Sequence, residues 1–194
     1  MKIILTLLTI VLSMSVTAQD SESLPYHQIP VQPDSYTAGT VVSRMIDGLG
    51  FRFYWATEGL TPNDLDFKLK EDARPILDVM SHVYSMSAII RDAALQVPHI
   101  RETFKKPLSY MDLRRLTLQN YKIASDIFKK ADHLESFNIV FKGSDSNRVV
   151  PFWNAINGPI EDSVWHCGQI ATSRRNSGNP INPKINHFTG TVSE

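Results

Sequence analysis

The sequence predicts an all-α protein, an antiparallel four-helix bundle with a long connection between the third and fourth helices. Three observations predict it. Apolar residues recur at three- and four-residue steps over separate segments. Pro and Gly punctuate the ends of those segments. A chain of 194 residues, 42% of them hydrophobic, supplies one core of ordinary domain size. Most connections are of modest length, which favours antiparallel neighbours.

Residues 1–18 read as a secretory signal peptide. Met1-Lys2 is a positive start, Ile3 to Val16 is almost wholly apolar, and Val16-Thr17-Ala18 offers small residues to a signal peptidase. The apolar run is shorter than the roughly 20 residues of a spanning helix. The expected product is an exported protein, periplasmic or extracellular, with a retained N-terminal anchor as the alternative. Residues 19–35, with Pro25, Pro30 and Pro33, form an extended leader. Residues 36–194 form the bundle and an extended C-terminal tail.

The first helix, about Tyr36 to Gly59, carries Val42, Met45, Ile46, Leu49, Phe53, Ala56 and Leu60 on one face. Gly48 and Gly50 each weaken it by roughly 1 kcal/mol relative to Ala, or else permit close approach of a neighbouring helix. The second, about Ala73 to Gln96, sets Ile76, Met80, Val83, Ser87, Ile90 and Ala94 on one stripe, with Pro75 in its first turn and Pro98 beyond its end. The third runs from about Ser109 to His133, and Ser109 with Asp112 makes an acidic variant of the capping box. Phe137 to Phe152 is the long connection. Phe137, Ile139 and Phe141 alternate before Gly143, so a short hairpin and an ordered loop both fit. The fourth helix starts at Pro159 and stops at Gly178 before Pro180.

Composition excludes some functions. Lys and Arg number 20 against 20 Asp and Glu, and no basic run with interleaved aromatics occurs, so nucleic acid is not an expected partner. After loss of the signal, no segment is apolar enough to span a membrane. A lone cysteine, Cys167, rules out an internal disulfide.

The fourth helix carries the chemistry. At about 100° per residue, Asp162, His166, Gln169, Ile170 and Ser173 share one sector of roughly 100°. Glu161, Gly168, Thr172 and Arg175 gather on the opposite side. If the latter face water, the polar stripe points inward and needs partners, because burying unpaired polar groups costs kilocalories. Asp162 and His166, four residues apart, lie on adjacent turns and can grip one ion. His82, at the edge of the second helix's apolar stripe, is the best third ligand. Two His and one carboxylate leave coordination positions open, as catalytic centres require. Gln169 and Ser173 are candidates to orient His166, or else belong to a solvated face. The plainer alternative is that Asp162 only hydrogen-bonds His166. Cys167, about 100° from His166, reads as core packing.

The stretch Asp162-Ser163-Val164-Trp165-His166-Cys167-Gly168-Gln169-Ile170, followed by Arg174-Arg175 and Gly178-Asn179-Pro180, resembles the last-helix signature of DinB/YfiT-like proteins. In that family a histidine precedes Gly-Gln, a ligand lies four residues upstream, and a further histidine comes from the second helix. His166 and His82 match two of these positions, while Asp162 stands where the family usually has His. The resemblance spans about Tyr36 to Phe188, although only the last-helix motif is specific. It implies a divalent ion (zinc, nickel or iron), frequent homodimers, and thiol-dependent transferase or isomerase chemistry. Export argues against cytosolic thiols and towards hydrolysis or another transfer. The expectation is therefore a metal-dependent hydrolase or transferase acting on an unidentified small molecule. A bundle that binds metal or ligand without turnover is the alternative. Tyr54, Trp55, Glu58 and Trp165 are expected to line the substrate pocket.

Overall fold

The computed structural model describes residues 24–101, 104 and 106–193, so the segment read as a signal peptide and the start of the expected leader lie outside the described residues. The described residues are mostly helical, with two small hairpins among them. The long helices are α1 (Ala38–Thr57), α3 (Ile76–Ala94), α4 (Tyr110–Phe128) and α6 (Glu161–Asn176). α1 packs on α4 and α6, and α3 packs on the same two. Each helix begins and ends inside the limits read from sequence.

Caps account for the starts. Thr37 Oγ1 accepts the Thr40 N–H at 3.2 Å while Thr40 Oγ1 accepts the Thr37 N–H at 2.8 Å, a reciprocal cap on α1. Ser109 Oγ accepts the Asp112 N–H at 3.1 Å and donates to its carboxylate at 2.7 Å, so the predicted capping residue holds the start of α4. Pro75 is the N-cap of α3 and not a residue of its first turn. α4 stops at Phe128, short of His133, because the chain turns so that Phe128 and Ala131 lie against α1. A Cβ on Gly39 would lie 2.1 Å from the Ala131 carbonyl oxygen and 2.2 Å from that of Phe128.

The apolar faces of α1, α3 and α4 form the core. Ile46, Leu49, Phe53, Met80, Val83, Ile90, Leu113, Tyr121, Ala124 and Phe128 are all buried, and Ile160, Cys167 and Ile170 close the core from the α6 side. Burial of side chains of this size stabilises by about 1.5–3 kcal/mol each before chain entropy is set against it. Gly50 does permit a close approach, but by Tyr26 of the leader and not by a helix: a Cβ there would lie 2.5 Å from the Tyr26 ring. The leader is thus bound to the bundle. The Trp55 indole N–H donates to the His27 carbonyl at 3.1 Å, and Arg44 donates to the Pro30 carbonyl at 2.8 Å.

Between α1 and α3 lies a single turn, α2 (Pro62–Leu65), too short for periodicity to reveal. The long connection forms a hairpin, β1 (Ile139–Phe141) against β2 (Arg148–Val150), with Ile139 opposite Val150. The outer edge of β1 takes one further residue. The His99 N–H donates to Val140 O at 2.6 Å, and the Lys142 N–H donates to His99 O at 3.0 Å. A short helical turn, α5 (Trp153–Ala155), and a π-helical turn, Ile156–Ile160, lead into α6. Gly158 (φ −90°, ψ −109°) breaks the helical path there, next to Pro159. The last helix therefore starts at Glu161, after the π turn.

The C-terminal tail does not run simply extended along the bundle. It folds into a second hairpin, β3 (Ile185–Asn186) and β4 (Thr191–Val192), turned through Gly190 at φ +73°. The Gly190 carbonyl accepts the Ile29 N–H at 2.9 Å, which ties the tail to the leader. No helix among the described residues is long and apolar enough to cross a membrane.

Candidate metal centre

α6 presents an inner face only partly like the one read off its sequence: Ile170 and Ser173 are buried as read, but Asp162, His166 and Gln169 are not. Ser163, Cys167, Ile170 and Arg174 are buried, and Glu161, Gly168, Thr172 and Arg175 are exposed. The stripe of Asp162 and His166 lies at the border between them, facing α3, and does not point into the core. Gln169 is exposed and Trp165 fully so, at 72%. Two polar residues on the inner face explain the shift. Ser163 is buried because its hydroxyl donates to the Pro159 carbonyl at 2.6 Å. Arg174 is buried because carbonyl oxygens saturate its guanidinium, as described below.

At this border three side chains converge. His82 is on α3, and Asp162 and His166 are one turn apart on α6. One ligand atom from each lies within 4.8 Å of the other two. His82 Nε2 is 3.0 Å and His166 Nε2 3.5 Å from the same oxygen, Asp162 Oδ2. The two imidazoles meet edge to face with centroids 4.6 Å apart. His82 and Asp162 are about one-third exposed, at 33% and 36%, and His166 is at 13%, so a small molecule can reach the group. A cavity of about 530 Å³ opens beside it, lined by Arg74, Val79, His82, His166, Gln169 and Ser173 among others.

The hydrogen bonding bears on what this donor set holds. His166 Nδ1 lies 2.8 Å from Gln169 Oε1, an acceptor, so Nδ1 carries the proton. In the neutral ring, Nε2 then presents a lone pair to the Asp162 carboxylate 3.5 Å away. Two electron-pair donors facing each other fit a cation between them. Two imidazoles and one carboxylate suit a borderline divalent ion. Gln169 is the hydrogen-bond partner of His166 Nδ1. Ser173 lines the cavity without a bond to His166 in the structure.

The remaining predicted pocket residues lie elsewhere. Tyr54 and Glu58 brace α1 against α4. The Arg114 guanidinium sits 4.3 Å from the Tyr54 ring centroid and pairs with the Glu58 carboxylate. Trp55 is buried beneath His27. With the exposed Trp165, none of these four lines the cavity beside the triad. Cys167 is core, as expected, and burial pushes its thiol up to about 12, which leaves no nucleophile at neutral pH.

Sequence reasoning missed two sets of residues. Arg74 and Val79 line the triad cavity, yet one precedes the helix and the other reads as core. Asp92, in the last turn of α3, and His99, beyond its end, form a second His–Asp pair at 2.8 Å, at the far end of α3 from the triad. A helix terminus and Pro98 lie between them, so no helical spacing signals the pair.

The end of α6 has its own polar cluster. Arg174 donates to the carbonyls of Trp55 at 3.0 Å, Ala56 at 3.1 Å and Asn179 at 2.7 Å, which satisfies carbonyls left free at the end of α1. Asp64 of α2, 1% exposed, accepts from Ser177, from Asn179 Nδ2 at 2.7 Å, and from the Thr61 N–H at 2.8 Å and hydroxyl at 2.7 Å. Burial pushes the Asp64 carboxyl up, but the hydrogen bonds from Ser177, Asn179 and Thr61 outweigh it and hold it at about 2.

Comparison with protein-family models, curated proteins and solved structures finds no match to this chain.

Proposed function

We propose that the chain is an exported, DinB/YfiT-like antiparallel four-helix bundle that holds one divalent ion, zinc, nickel or iron, and acts as a metal-dependent hydrolase or transferase. The observation that carries this reading is the convergence of His82, Asp162 and His166 from two helices, with ligand atoms within 4.8 Å. The ring of α1, α4, α3 and α6 is the packing that a four-helix bundle would have, and it supports the fold half of the reading.

His82 would bind through Nε2, His166 through the Nε2 that its bond to Gln169 leaves free, and Asp162 through a carboxylate oxygen. Bound there with open positions, such an ion supplies Lewis acidity and lowers the pKa of a water or thiol towards neutrality. The chain contributes position and charge. Gln169 fixes the tautomer and rotation of His166. Asp162 places one negative charge where a third imidazole would have none, which favours a harder cation. Arg74, at the cavity wall, offers a guanidinium to an anionic substrate group.

One observation favours a second reading. The 3.0 Å contact between His82 and Asp162 is a sound hydrogen bond by itself, so the group also suits a metal-free knot. Metal analysis of untagged full-length protein separates the two. About one divalent ion per chain is expected, and His82→Ala and Asp162→Ala should each lose it. Metal-free protein that does not take up added zinc, nickel or iron would overturn the metal reading. Turnover of esters, amides or thiol acceptors, abolished by chelator and restored by metal, separates the enzyme from a non-catalytic binder.

A further inference from the structure

A second cavity, of about 550 Å³, lies on another side of His82, and His99, which has no part in the proposed centre, lines it. Its wall is mostly apolar: Met86 and Ile89 of α3, Leu108, Leu113 of α4, and Phe141 of β1. His99 is the imidazole that reaches this wall besides His82. A mostly apolar cavity of this size with a few fixed polar groups is the usual form of a small-molecule site.

His99 is held more tightly than packing requires. Its backbone is bonded on both sides to β1, through Val140 O at 2.6 Å and the Lys142 N–H at 3.0 Å. Its ring stands edge-on to Phe141 with centroids 6.0 Å apart. Its Nδ1 lies 2.8 Å from Asp92 Oδ2. Asp92, 6% exposed, is held in turn by Arg91 Nε at 2.9 Å, Arg91 donates to Asn120 Oδ1 at 3.1 Å, and Asn120 donates to Ser87 Oγ at 2.9 Å. This chain of bonds crosses from α3 to α4 and back, and it fixes one tautomer. Nδ1–H goes to the buried carboxylate, so Nε2 is the nitrogen left to meet a ligand, and in the neutral ring it is an acceptor.

We infer that this cavity is a binding site for an apolar molecule carrying one hydroxyl, a phenol or an alcohol, whose O–H donates to His99 Nε2. The aryl or alkyl body packs between Phe141 and the aliphatic wall, and Asp92 sets the acceptor polarity of the site. The inference does not depend on an ion at His82, Asp162 and His166.

The test uses the full chain with chelator present and three matched probes: 4-propylphenol, 4-propylanisole and propylbenzene, titrated by calorimetry. The phenol should bind wild-type protein at least about tenfold more tightly than the other two, since they bring no O–H to Nε2. His99→Leu should reduce the phenol to the affinity of the hydrocarbon. Asp92→Asn should invert the preference, because an Asn amide donating to Nδ1 moves the ring proton to Nε2 and makes the site a donor that suits the ether. Equal affinity of the three probes for wild type, or no saturable binding of the phenol, overturns the inference. So does a phenol preference that survives both substitutions. The wild-type series decides the question even if a variant does not fold.

Discussion

The two ends of α6 carry polar clusters of similar composition and opposite bonding. At the C-terminal end, Asp64 is fully buried and four donors converge on its carboxylate, while Arg174 is satisfied by carbonyl oxygens. At the N-terminal end, Asp162 is one-third exposed and has two imidazoles near a single oxygen, one at 3.0 Å and one at 3.5 Å. Burial without unmet bonds is the mark of a structural knot, since an unpaired charge in that position would cost several kilocalories. Partial exposure with donors left over marks a group with capacity for something else. Counting bonds separates the two clusters where residue type does not.

The contrast is most exposed to test at the closed end. Asp64→Ala takes a shared acceptor from Thr61, Ser177 and Asn179 and removes a favourable charge near Arg174, and should lower the unfolding free energy by about 2–4 kcal/mol in urea titrations. A loss below about 1 kcal/mol would mean that the cluster is not a knot. The same carboxylate gives a pH dependence with a definite sign. Its folded pKa, near 2, lies below the unfolded value of about 3.9, so its contribution is complete above that value and is lost as pH falls through the folded one. Stability should therefore decline by about 2–3 kcal/mol between roughly pH 5 and pH 2 from this group, and Asp64→Asn should remove that part of the slope.

At the open end the expected effects are on ligation. Gln169→Ala frees the His166 ring and should weaken metal affinity about 10- to 100-fold in competition with a chromophoric chelator. Unchanged affinity would mean that the bond at 2.8 Å does not orient the ligand. The smallest effect sharpens the contrast most. In metal-free protein, Asp162→Ala should change the unfolding free energy by less than about 1 kcal/mol, because a partly exposed pair contributes little. A large loss there would put Asp162 in the same class as Asp64.

Three of the four long helices were legible because their inner faces are apolar. Ile76, Met80, Val83, Ser87, Ile90 and Ala94 are all buried on α3, with a serine among them that bonds back to the Tyr84 carbonyl at 2.7 Å. The α6 face was placed one step around the helix from where it lies. Its buried residues include Ser163 and Arg174, whose polarity hides them from any hydropathy pattern. The pairing of Asp162 with His166 was still legible, since four-residue spacing holds wherever the helix faces, and so was His82, because the border of an apolar stripe is a property of α3 alone. Bonds between distant segments were not legible. Nothing local marks Asp64 as the acceptor for Ser177 and Asn179, or His99 as the partner of Asp92. The tail hairpin depends on a bond from Gly190 to Ile29 at the other end of the chain.

The π turn at Ile156–Ile160 acts as a rotational index for everything after it. One residue more or fewer between Gly158 and Asp162 would turn α6 by about 100° about its axis and carry both of its candidate ligands past His82. The loop between β1 and β2, upstream of the turn, is free of that constraint. Length changes there should be absorbed before the chain reaches the turn, whereas a single-residue deletion just beyond it would dismantle the triad while leaving the helix itself intact.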